Sequence, residues 1–104
     1  MGATGAALAP SPRQAERVHL ALIRSELEVA FSYLRLAEAE VHGGILTHAE
    51  DLLDKARTSH TTAVRYLSVS GEGFDGERAE LHAEARELAD AIRRTGLFLL
   101  PPAI

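Results

Sequence analysis

The feature that most constrains this chain is a pattern repeated on both sides of Gly43-Gly44, in which apolar residues recur alternately three and four positions apart. Before the glycines the stripe runs Leu20, Ile23, Leu27, Ala30, Leu34, Ala37 and Val41. After them it runs Leu46, Ala49, Leu53, Ala56, His60, Ala63 and Leu67. Residues three and four apart lie above one another on an α-helix, so each stripe makes one continuous apolar face. A glycine pair can take the left-handed conformation that ends a helix without a Cβ penalty. Helices joined by a short loop pack as antiparallel neighbours, and alanines set against large residues let the two backbones approach. Residues 33–67 are therefore predicted to form a helical hairpin whose core the flanking segments complete.

The flanks carry their own start and stop signals. Ser11-Pro12-Arg13-Gln14 reads as a capping box with proline at the first helical position, so the first helix is predicted from Pro12 to about His42, with Leu22, Val29, Tyr33 and Leu36 widening its stripe. Thr47 and Glu50 repeat the capping-box spacing and predict a second helix from His48 to Val69, flanked by Leu52, Val64 and Tyr66. A third helix is expected from Asp75 as N-cap, with Phe74 as a hydrophobic staple, to Thr95, closed by Gly96. Its stripe is Leu81, Ala85, Leu88 and Ile92, beside Ala89. Leu97 to Leu100, stopped by Pro101-Pro102, is an apolar tail expected to fold back over the end of the bundle that carries the glycine turn. The fold class is thus all-α: an antiparallel three-helix bundle with a long first helix and a short apolar C-terminal tail. Residues 1–10 read as a flexible leader and 11–104 as a single domain.

Composition narrows the function classes. The chain has 104 residues, 46% of them apolar and 25% charged, the balance of one ordinary globular domain. A net charge of -4 with acids and bases interleaved leaves no basic stripe for nucleic acid. The absence of cysteine excludes disulfides, thiolate metal sites and cysteine nucleophiles. No apolar run approaches the roughly 20 residues of a membrane span, and the small-residue start lacks the charge and apolar block of a signal peptide. A cytoplasmic, non-enzymatic protein is the expectation.

At the hairpin the residues resemble one tetratricopeptide repeat. Tyr33, Leu36 and Ala37 stand where that repeat's first helix has its large aromatic, its leucine and its small residue. Gly44 matches the turn, and Ala49, Leu53 and Ala56 match the small, large, small pattern of the second helix. Glu40 replaces the second aromatic, Thr61 stands at the closing proline, and no second copy follows. The resemblance implies a single helical hairpin within a three-helix domain, not a peptide-binding array of stacked repeats.

Several residues invite chemical readings. Glu16 and His19 have the E-x-x-H spacing of di-iron bundles, but such sites need a second copy and further glutamates. Glu38, His42 and His48 could gather across the turn as a ligand set, since carboxylate and imidazole both bind zinc, and they define the alternative function of a small metal- or ligand-binding helical protein. His60 on the core stripe is expected half-buried, bonded to a carboxylate or a backbone carbonyl. No metal or other cofactor is expected.

The leading expectation is a protein-protein interaction module, its partner another protein or a second copy of the chain in a homodimer. A first helix of about 46 Å and a second of about 33 Å, at 1.5 Å per residue, share the end at the glycine turn. The segment from Pro12 to Ala21 should therefore project past the second helix. Val18, Leu20 and Leu22, with the neighbouring Arg17 and Arg24, are the predicted interaction surface.

Overall fold

A computed structural model describes residues 11–69 and 73–100, and over them the chain forms three α-helices and no strand: α1 (Pro12–His42), α2 (Leu46–Ser68) and α3 (Asp75–Leu97). The capping box opens α1 as its residues require. The Ser11 hydroxyl accepts from the Gln14 amide at 3.1 Å, and the Gln14 side chain accepts from the Ser11 amide at 2.9 Å. The helix closes in a Schellman motif. Gly44 takes a φ of 78° and donates its amide to the Val41 carbonyl, while the Ile45 amide reaches back to the Glu40 carbonyl at 2.9 Å. Only Gly44 needs the left-handed conformation, since Gly43 stays right-handed with φ -82°.

That motif reverses the chain within three residues, so α2 starts at Leu46, earlier than the Thr47 capping box predicts. Ile45 occupies the N-cap position and supplies no side-chain cap, and Thr47 lies inside the first turn. Leu46, placed by the sequence on the core stripe, is exposed there. The third helix departs similarly: Asp75 is its first residue, Phe74 is the N-cap at φ 54°, and no side chain caps the end. A left-handed phenylalanine carries backbone strain. Its ring is half-buried against the core, with the Arg13 and Arg17 guanidinium groups over it at 5.3 and 5.8 Å from the centroid.

The predicted stripes supply the core. Ile23, Leu27, Ala30, Leu34 and Ala37 of α1, Leu53, Ala56, Ala63 and Leu67 of α2, and Leu88 and Ile92 of α3 are all buried, joined by Leu20, Leu52, Leu81 and Ala85. Their contact pairs fix the helix directions. His19 meets Tyr66 at one end of the hairpin and Glu40 meets His48 at the other, so α2 runs against α1. Similarly, His60 meets Ala85, and Leu53 lies beside Gly96, so α3 runs against α2.

The end of α3 corrects two expectations. Gly96 does not close the helix, which continues to Leu97. A Cβ on Gly96 would lie 3.2 Å from the Arg57 guanidinium and 3.6 Å from a Leu53 methyl, so glycine here serves close approach to α2. The tail does not fold back as a block either. Successive turn bonds, from the Phe98, Leu99 and Leu100 amides to the Thr95, Gly96 and Leu97 carbonyls, carry it onward from the helix. Only Leu99 packs on the core, while Leu97, Phe98 and Leu100 are exposed. The leader at 1–10 and the prolines at 101–102 lie outside the described residues.

Leu34 and Leu53 sit on facing helices with almost no exposure. Replacing either with alanine is expected to cost about 2–5 kcal/mol of unfolding free energy, as large-to-small core changes do. Urea titrations of the two variants measure it, and a loss under about 0.5 kcal/mol at both would place them outside the core.

Candidate protein-binding surface

The predicted surface at the start of α1 divides in two. Leu20 is 1% exposed and belongs to the core, which corrects its assignment as an interaction residue. The overhang past α2 is covered from α3: Phe74 packs beneath Arg13 and Arg17, and Arg78 approaches Glu16 at 3.8 Å. The lengths of α1 and α2 alone carry no trace of this third element. Val18 and Leu22, by contrast, remain 60% and 53% exposed, and Arg17 and Arg24 are exposed beside them.

Val18 and Leu22 extend into a longer feature. Ala15, Val18, Leu22, Ser25, Val29, Ser32, Leu36 and Ala39 follow the same three-then-four spacing as the core stripe, and all eight are exposed. Leu22, Val29 and Leu36 do not widen the core face. They sit two residues beyond Leu20, Leu27 and Leu34, which is about 200° around a helix of 3.6 residues per turn. Helix α1 thus carries two apolar seams on opposite sides, one spent on the core and one facing solvent. Val29 at 45% and Leu36 at 53% exposure are as open as Leu22. Beside the second seam Arg24, Glu28 and Arg35 line a shallow groove with Phe31 and with Glu84 and Glu87 of α3.

The other singled-out residues serve the bundle. His60 is half-buried and donates from Nε2 to the Ala85 carbonyl at 3.0 Å, pinning α2 to α3 as the core-stripe reading expects. His19 donates from Nε2 to the Tyr66 carbonyl at 2.8 Å, satisfying one of the last carbonyls of α2, and its ring packs edge-on against Tyr66 at 5.7 Å. Glu16 and His19 therefore turn to different neighbours. In the last turn of α1 His42 donates from Nδ1 to the Glu38 carbonyl at 2.7 Å, while His48 pairs with the Glu40 carboxylate at 3.3 Å across the turn. His42 and His48 are thus engaged separately, and among the described residues no three His, Cys, Asp or Glu side chains gather as a metal site. An open cleft of about 420 Å³ lies between the C-terminal ends of α1 and α3, lined by Glu38, Val41, His42, Arg94, Thr95 and Phe98.

Comparison with known family models, curated proteins and solved structures finds no match for this chain. Among the described residues no helix is long and apolar enough to cross a membrane.

Leu20 and Leu22 offer a direct contrast between the two seams. Leu20→Asp buries a carboxylate in the core and is expected to cost more than about 3 kcal/mol, whereas Leu22→Asp should stay within about 0.5 kcal/mol of the parent. Thermal melts followed by circular dichroism measure both, and equal losses would contradict the division.

Proposed function

We propose that this protein is a non-enzymatic helical interaction module that docks a partner helix along the solvent-facing seam of α1. One observation carries the reading: eight positions in unbroken three-then-four spacing, over most of a 31-residue helix, are all exposed although their spacing is that of a helix-packing face. Exposed apolar residues scattered singly are ordinary on a protein surface, but a contiguous, helically periodic row is what interaction sites present. A partner helix laid along it would meet large side chains at Leu22, Val29 and Leu36 and small ones between them, an arrangement that lets knobs enter holes. The resemblance of the hairpin to a tetratricopeptide unit belongs to the same class, since helical hairpins of that kind act through contacts rather than chemistry. Its leucine position, Leu36, lies on the open seam rather than in the core.

Capture from the native host tests the reading. Proteins retained by the parent chain should be lost from a Leu22→Asp, Leu36→Asp double variant whose helical signal and melting temperature match the parent. An unchanged set of retained proteins would place the interaction elsewhere.

A further inference from the structure

The seam on α1 has an order that points to its occupant. In heptad terms Ala15, Leu22, Val29 and Leu36 share one position, and Val18, Ser25, Ser32 and Ala39 share the other. In an antiparallel pair of helices the two positions face each other across the interface. One register sets Leu22 opposite Ala39, Ser25 opposite Leu36 and Val29 opposite Ser32 of a second, identical helix, with Val18 level with Gly43 just past that helix's end. Every layer then places a large side chain against a small one or none, the condition for close, void-free packing. The hydroxyl of Ser32 donates within its own helix to the Glu28 carbonyl at 3.0 Å, so covering Ser32 does not orphan its donor.

Charges select the same register. The residues flanking the seam on the α3 side are Ala21, Glu28, Arg35 and His42, and in this arrangement Glu28 of each copy faces Arg35 of the other, twice by symmetry. Sliding the helices by one heptad in one direction sets Glu28 against Glu28 and Glu26 against Glu26. Sliding them in the other sets Arg35 against Arg35. A parallel pair would stack Ser25 on Ser25 and Ser32 on Ser32. Like charges across an interface are costly and suppress the wrong pairing. Helices α2 and α3 pack on the opposite side of α1, where Leu20, Leu27 and Leu34 are buried, so they leave room for the second copy.

We propose that a second copy of this chain occupies the seam, α1 against α1 in antiparallel register, about a two-fold axis level with Ala30 and Phe31. This rests on the seam being the docking face and names its partner. Such a pairing is isologous, the commonest closed symmetry of soluble oligomers, and makes a back-to-back dimer with the two α1 helices at its centre.

Light scattering on the full chain over a wide concentration range tests it, with melts recorded on every variant. The parent should approach 22.4 kDa, twice its 11.2 kDa chain mass. Arg35→Glu sets an acid against Glu28 at two sites and should weaken association at least about tenfold, and Glu28→Arg should do the same from the other side. Combining the two should restore association to within about threefold of the parent. Positions 28 and 35 both line the groove with Glu84 and Glu87 of α3, so the melts report any change within the chain and the light scattering reports the change between copies. If Arg35→Glu fails to fold, Glu28→Arg alone still decides: an unchanged association overturns the register. A parent that stays at 11.2 kDa at every concentration overturns the second copy as occupant, while the capture experiment separately decides the docking face. Single variants that associate like the parent, or a double variant that stays weak, overturn the proposal.

Discussion

Everything in this structure depends on the burial of one face of α1. Leu20, Ile23, Leu27, Ala30, Leu34 and Ala37 are all but inaccessible, and both other helices close over that row. Its two alanines sit among leucines and an isoleucine, which lets α2 come near the α1 backbone, and the Schellman turn at Gly44 delivers α2 there within three residues. Helix α3 then covers what remains, with Gly96 admitting it against Leu53 and Arg57. Histidines finish the joints: His60 holds a carbonyl of α3 and His19 a carbonyl of α2. In each case the imidazole meets a backbone acceptor, which gives these residues structural work before any chemical role arises.

Much of the fold was legible because its signals are local. The Ser11 and Gln14 pair announces a helix start through two reciprocal hydrogen bonds, and the periodic stripes name the buried residues. The errors occur where a local signal met a competing one. Thr47 and Glu50 have the spacing of a capping box, yet the Schellman turn returns the chain two residues too early for it, so that Ile45 takes the N-cap position. Gly96 reads as a stop by composition, but a right-handed glycine inside a helix can serve packing instead. The lengths of α1 and α2 place Leu20 in an overhang, but Phe74 at the start of α3 covers it.

The candidate site was legible only at its edge. Val18 and Leu22 follow from what the hairpin leaves uncovered, while Val29 and Leu36 read by spacing as flanks of the core stripe. Their separation from Leu27 and Leu34 is two residues, and on a helix that is nearly a half-turn, so the same sequence row contains two faces. Counting apolar residues merges the faces, and only angle separates them. One periodicity thereby sets out two rows, one buried and one exposed, along a helix of 31 residues whose neighbours have 23.

Because the chain contains no cysteine, single cysteines placed along α1 report each position without background. Thiol labelling rates measured at several protein concentrations test the two-seam account most directly. The account predicts protection at Ile23, Leu27 and Leu34 at every concentration, and protection at Leu22, Val29 and Leu36 that grows as concentration rises. Protection of both rows independent of concentration, or fast labelling of the second row throughout, would contradict it.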